Sequence, residues 1–271
     1  MGIRRLGLTG AEKQLPYATY YDREPADIPA SVLSAIQNGT YSYRQALLFE
    51  NINDLLNPGY LPLENGYCRM PDGSFFVAAR TEFLDVTKEM LDWWFWWHSQ
   101  EPLRYRIWYP ECHFDISVEG AQETSRNKPQ YSHTTHFPVE DVGLGKEKVS
   151  IHFLPPDEFG FDISRFEEAN IATVICGVVG SVTHHIKQHT SMCHLVRKLS
   201  TGLEMRSRFW VGHTLRFNGI LGAPILKNIV NTRLFRQLVL PPKTGLSMAM
   251  HCAQEYNNLA KLLPELYAAY G

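Results

Sequence analysis

The apolar positions near the C-terminus recur with a helical period. Over residues 250–263, "MHCAQEYNNLAKLL", they predict an amphipathic helix. Turning about 100° per residue from His251 at zero, Leu262 lies at ~20°, Glu255 at ~40°, Leu266 at ~60°, Leu259 at ~80° and Leu263 at ~120°. An imidazole and a carboxylate therefore sit one turn apart at the edge of the buried stripe. A buried carboxylate needs a cation, a metal or good donors, because without one it takes up a proton or costs several kcal/mol.

Upstream the pattern changes to alternation and β-branched runs. "RYRIWYP", "KVSIHFLPP", "ANIATVICGVVG", "SVTHHIKQHTSMCHLVRKLS" and "LEMRSRFWVGHTLRF" are each expected to be strands. Strands closed by one long helix predict an α+β layer, a curved antiparallel sheet wrapped around the C-terminal helix with a cavity between them. "VTKEMLDWWFWWHSQ" is expected to be a helix capped by Asp85 or Thr87. Its tryptophans exceed one stripe, so it is read as a core helix that also meets another subunit or domain. Residues 1–84, rich in Pro, Tyr and Gly, carry two short helical stretches, "ADIPASVLSAIQNG" and "SYRQALLFENINDLL", and the strand "SFFVAAR". They are expected to form a small N-terminal accessory or dimerisation region before a catalytic domain at 85–271.

Composition narrows the functional classes. The 271 residues are 44% hydrophobic and 20% charged with a formal net charge of -2, enough for a sizeable core and without a basic footprint for nucleic acid or anionic membrane. The first twenty residues lack an apolar signal core and no run is long enough to span a bilayer, so a cytoplasmic location is expected. The five cysteines form no C-x-x-C and are expected to be free, buried thiols.

His251 and Glu255, at i,i+4, present donor atoms on one helix face, a weak signal alone. "YRIWYPECHFD" adds His113 past a Pro-marked strand end, and "YSHTTHFPVEDVG" offers His133, His136, Glu140 and Asp141. Taken together, His113, Glu140, His251 and Glu255 make a set of two imidazoles and two carboxylates suited to zinc with an open position for water. Arg206 and Arg208 share one strand face and are read as structural partners of carboxylates such as Glu140 or Glu204.

The ordered blocks "YRIWYPECH", "TTHFPVEDVG", "GLEMRSRFWVGH" and the final His-x3-Glu resemble the 2,4-diacetylphloroglucinol hydrolase family, which also includes phloretin hydrolase. The likeness runs from about Arg104 to Leu263. It implies a zinc-dependent carbon–carbon bond hydrolase, usually a homodimer, with a small mainly helical N-terminal domain and a larger helix-grip (Bet v 1-like) domain. Carried over, the Zn2+ ligands are His113, Glu140, His251 and Glu255, with Asp141 as the substitute for Glu140 because the spacing there is shorter than the family's. Tyr105 matches a tyrosine that holds substrate oxygens, and His194 falls at a catalytic histidine. Phe209 and Ile116 depart from the pattern, standing where a second substrate-binding tyrosine and an asparagine are expected.

The implied partner is a small aromatic ketone, split between its acyl group and a polyhydroxylated ring. Two rival readings remain, a metal-free small-molecule binding protein of the helix-grip class and a polyketide-tailoring enzyme with a different reaction. Phe209 and Ile116 keep the second alive, since apolar side chains there change which polar substrate groups find partners.

Overall fold

The computed structural model describes residues 5–120, 131–219 and 224–271. Short helices α1 (Ala18–Tyr21) and α2 (Ala30–Gln37) and 3-10 turns at Tyr43–Gln45 and Phe49–Leu56 lead into β1 (Gly66–Arg69) and β2 (Phe75–Leu84). Helices α3 (Lys88–Trp97) and α4 (Pro102–Trp108) follow, then four short strands, β3 (His113–Asp115), β4 (Val118–Glu119), β5 (Thr135–His136) and β6 (Val139–Glu140). The long strands β7 (Glu147–Leu154), β8 (Ile171–Ser181), β9 (Ile186–Leu199) and β10 (Gly202–Phe217) come next, with α5 (Pro156–Phe159) between β7 and β8. Helices α6 (Pro224–Val230), α7 (Arg233–Val239) and α8 (Thr244–Tyr270) complete the chain.

The sheet runs β1-β2-β10-β9-β8-β7-β5-β4, with β6 pairing both β3 and β7 and every pairing antiparallel. Helix α8 packs along β1 and β2, and Leu259, Leu262, Leu263 and Leu266 of its apolar stripe are all buried. This is the expected α+β helix-grip arrangement. Side chains from the sheet's two faces divide into two cores. Val77, Ala79, Met205, Phe209 and Met192 join α8, whereas Ala78, Trp210, Cys193 and Leu195 meet residues of the 47–63 segment. Burial on both faces explains why these strands read as near-continuous apolar runs.

Several expectations need correction. "RYRIWYP" is not a strand; Pro102 opens helix α4, and Leu103 and Ile107 at i,i+4 are both fully buried. Proline at the first helical position, with no N–H to leave unpaired, was the signal that outweighed the apparent alternation. Tyr105 therefore stands on a helix, and the segment before His113 carries that helix, not a strand end, with His113 itself opening β3. Strand β2, which ends at Leu84, pairs with β10 from Phe75 to Leu84 and so joins the first 84 residues to the long sheet. Thr87, not Asp85, caps α3 by accepting from the Met90 N–H at 3.4 Å. All five cysteines are free and buried, as expected. Among the described residues no helix is long and apolar enough to cross a membrane.

The β9–β10 turn depends on one glycine. Gly202 has φ +135° and pairs with both Leu84 and Leu199, and a Cβ there would lie 2.3 Å from the Phe83 carbonyl oxygen. Gly202→Ala is expected to destabilise the protein by about 1–3 kcal/mol through forced backbone strain, read as a lower urea midpoint at unchanged slope.

Candidate metal centre

Three parts of the chain converge beside the sheet. Antiparallel pairing sets His113 of β3 directly opposite Glu140 of β6. Helix α8 brings His251 and Glu255 against them. The α4 and α8 backbones are tied there, with Trp108 Nε1 donating to the Glu255 carbonyl at 2.9 Å and Asn258 Nδ2 donating to the Trp108 carbonyl at 2.8 Å.

The donor atoms face one another without hydrogen-bonding. His113 Nε2 is 3.5 Å from Glu255 Oε2 and 3.8 Å from Glu140 Oε2. His251 Nε2 is 3.8 Å and 4.0 Å from the same two oxygens. The His113 ring donates from Nδ1 to the Tyr105 carbonyl at 3.1 Å, which fixes the proton there and leaves Nε2 buried with no hydrogen-bond partner among the described residues. A carbonyl behind Nδ1 and a free Nε2 in front is how histidine ligands are commonly oriented. Among the described residues, His113, Glu140 and His251 form a group whose donors all lie within 4.8 Å of one another.

Electrostatics point the same way. Burial pushes the His113 imidazole well below its ordinary value and His251 down to about 4. Burial raises Glu140, and burial followed by the Glu140 charge raises Glu255 well above the carboxylate range. Two carboxylates facing each other across neutral imidazoles are unfavourable as an isolated set, and a divalent cation reverses that balance. Two imidazole nitrogens and two carboxylates are borderline donors that suit zinc.

Asp141 is occupied elsewhere. Its Oδ1 accepts from the N–H groups of Gly143 and Gly145 at 2.7 and 2.9 Å, bracing the loop after β6. Glu140 is the residue facing the histidines.

The centre opens on a cavity of about 700 Å3 between the sheet and α8. Tyr105, Ile116, His194 and Phe209 all border it. The Tyr105 hydroxyl donates to Glu140 Oε2 at 2.6 Å, and its ring stacks on His113 with centroids 4.0 Å apart. His194 Nδ1 is 2.8 Å from Ser207 Oγ and its Nε2 is 3.0 Å from the Tyr256 hydroxyl, so both ring nitrogens are engaged. Phe209 meets the His194 ring edge-on, and Ile116 is buried against the cavity. His133, named with the others from its sequence block, lies 3.6 Å from Glu158 Oε1 and outside the cavity lining.

The arginines take a different partner from those expected. Arg206 and Arg208 both hold Glu64, each with a 2.5 Å contact, while Glu204 pairs with Arg197 and Arg80. Glu204, Arg206 and Arg208 lie on the face of β10 away from the cavity that Glu140 borders. Sequence reasoning also missed Tyr256, Ser207 and His98. The last follows Trp94 by four residues and bonds its carbonyl, a local signal that was available.

Residues 47–268 match the family model described as "DAPG hydrolase PhiG domain". The chain is 31% identical over 270 residues to phloretin hydrolase of Eubacterium ramulus, covering 97% of this chain and 93% of that one. It is 28% identical over 267 residues to 2,4-diacetylphloroglucinol hydrolase of Pseudomonas protegens, covering 96% and 86% respectively. Among solved structures, the Zhui aromatase/cyclase of a Streptomyces species is 13% identical with a TM-score of 0.36, covering 72% of this chain and 98% of that one. The family match across most of its length places the chain in the DAPG hydrolase family, a family of hydrolases.

Proposed function

We propose, for a chain whose family makes it a carbon–carbon bond hydrolase of ketonic substrates, that it uses zinc to split an acyl group from a polyhydroxylated aromatic ring of the acylphloroglucinol kind. The observation that carries this reading is the convergence of His113, Glu140, His251 and Glu255, the last three of which line an apolar cavity. A zinc ion held by these four residues would supply Lewis acidity and water activation near neutral pH.

The chain's own groups divide the remaining work. Tyr105 donates to Glu140 and keeps a lone pair on its hydroxyl oxygen for a substrate hydroxyl, so it holds the carboxylate and the substrate together. The reaction adds the oxygen of water to the acyl carbon, breaks the bond to the ring and places a proton on the ring carbon. That proton is the one the attacking water gives up, and the Tyr256 hydroxyl, held at the cavity by His194 Nε2 at 3.0 Å, takes it up as it passes its own proton to the ring carbon, while Ser207 fixes the His194 ring through Nδ1 at 2.8 Å. Burial holds His194 down at about 3, so it works as a neutral relay and not as a stored acid. Ile116 and Phe209 make the adjacent wall apolar and select for a substrate with few polar substituents there. With this reading go the expected cytoplasmic location and homodimeric assembly.

The test pairs metal analysis with product analysis. The purified protein is expected to hold one zinc per chain and to release one carboxylic acid and one ring product per acylphloroglucinol consumed. In oxygen-labelled water the label should appear in the acid. A metal-free protein that binds the ketone without cleaving it would overturn the reading in favour of a carrier.

A further inference from the structure

Two histidines on the cavity wall have ring nitrogens that bond nothing among the described residues. His98, in the turn that follows α3, donates from Nδ1 to the Trp94 carbonyl at 2.7 Å, leaving Nε2 as an acceptor. His136, at the end of β5, makes ring contacts with His98 and Phe153 but no hydrogen bond from either ring nitrogen among the described residues. Both side chains are only 3% exposed and both border the cavity. Their ring centroids are 5.9 Å apart, and the Tyr105 ring, 6.0 Å from His98 and stacked on His113, connects them to the metal centre. His194 offers a contrast, since both of its nitrogens are already taken.

Both rings border the cavity, so a ligand there can bond the nitrogens that the described residues leave open. We propose that His98 and His136 form a hydrogen-bonding wall for the oxygen substituents of the substrate's aromatic ring. The assignment rests on the hydrolase reading above and deepens it by fixing which part of the substrate lies where.

The tautomers define the recognised chemistry. With its proton on Nδ1, His98 accepts from a ring hydroxyl through Nε2. A neutral His136 has one donor and one acceptor, so it serves a hydroxyl or, after tautomerisation, a ring carbonyl oxygen. A ring carrying hydroxyls on alternate carbons meets this pair, and it is also the ring that must pass through a keto form for its acyl-bearing carbon to depart. Burial holds both imidazoles neutral, His98 at about 4 and His136 at about 3, and thus keeps these acceptors available.

The experiment compares phloroglucinol with resorcinol, which lacks one hydroxyl, by calorimetry on the metal-loaded enzyme. The wild type is expected to bind phloroglucinol at least about tenfold more tightly, because a site built for a hydroxyl leaves its own atoms unpaired around the analogue. His98→Phe and His136→Phe should each erase most of that preference with metal content unchanged, His136→Asn should restore part of it, and His133→Phe should leave it intact. An equal affinity in the wild type, or a preference that survives both Phe changes, overturns the assignment. Should the Phe variants fail to fold, the wild type and His136→Asn decide the matter. Selective binding without cleavage of any acylphloroglucinol keeps this wall and removes the hydrolase reading; cleavage without selectivity does the reverse.

Discussion

The His251→Ala protein is expected to lose its metal and its activity together. Replacing a partner that only orients a ligand typically costs 10–100-fold in metal affinity or activity, so removing a ligand itself should cost at least about 10³-fold. What remains is His113 facing Glu140 and Glu255, with a cavity where the second imidazole stood. Two carboxylates already raised by burial then share a proton instead of a cation. The checks are metal stoichiometry by plasma spectrometry and kcat/KM on an acylphloroglucinol.

A readout independent of activity separates ligand loss from general damage. Chelator should lower the Tm of the wild type, since a metal bound only by the native state stabilises it, and should leave the variant unmoved. Metal uptake by the wild type should also release protons and weaken as pH falls, because raised carboxylates must give up protons to bind. Asp141→Asn is the matched control. Its carboxylate braces the Gly143–Gly145 loop, so metal should be retained. A His251→Ala protein that keeps one equivalent of metal and normal turnover would show that the cation binds elsewhere.

What could be read from the chain follows from how local each determinant is. Helix α8 was legible because burial on one side leaves a helical period, and the same stripe located His251 and Glu255. Strands β8 to β10 were legible from β-branched content although both faces are buried. Helix α4 was misread because Tyr105 and Ile107 alternate with arginines, and only Pro102 at its start argued otherwise.

The centre itself depends on register. Nothing near His113 in the sequence says that β3 lies opposite Glu140, or that the following glycine loop occupies the Asp141 carboxylate and leaves Glu140 to face the histidines. The pairing of His98 with His136 is non-local in the same way. Each looks like an ordinary core histidine until α3 and β5 are brought to one cavity. Glu64 lies 142 residues from Arg206, so no local pattern joins them.

That pairing carries the second large effect. Glu64 accepts from Arg206 Nε at 3.1 Å and from Arg206 Nη2 and Arg208 Nη2 at 2.5 Å each, and the two guanidinium groups are 1% and 0% exposed. Arg206 also donates to the Leu55 carbonyl at 3.1 Å, so the cluster pins the 55–64 segment to the outer face of β10. Removing one member of such a buried set strands the others, at a cost of about 3–5 kcal/mol. Glu64→Gln should therefore lower the Tm by about 10 °C, while exchange of all three residues for apolar ones of similar volume should stay much closer to the wild type.

The pH dependence has a definite sign. Burial alone would raise Glu64, but the charges and hydrogen bonds of Arg208 and Arg206 outweigh it and hold the carboxyl below its ordinary 4.5. A depressed carboxylate contributes stability above its unfolded value and loses it as pH falls through the folded one. The wild type should accordingly shed stability below about pH 4.5, and Glu64→Gln should lack that component. The consequence for function is transmitted through one residue. Ser207, which holds His194 on the cavity side, stands between the two arginines on the same strand. Glu64→Gln is expected to keep its metal yet slow turnover, because the strand carrying the relay loses its outer anchor; a variant within about 1 kcal/mol of wild-type stability would show that the arginines are satisfied without it.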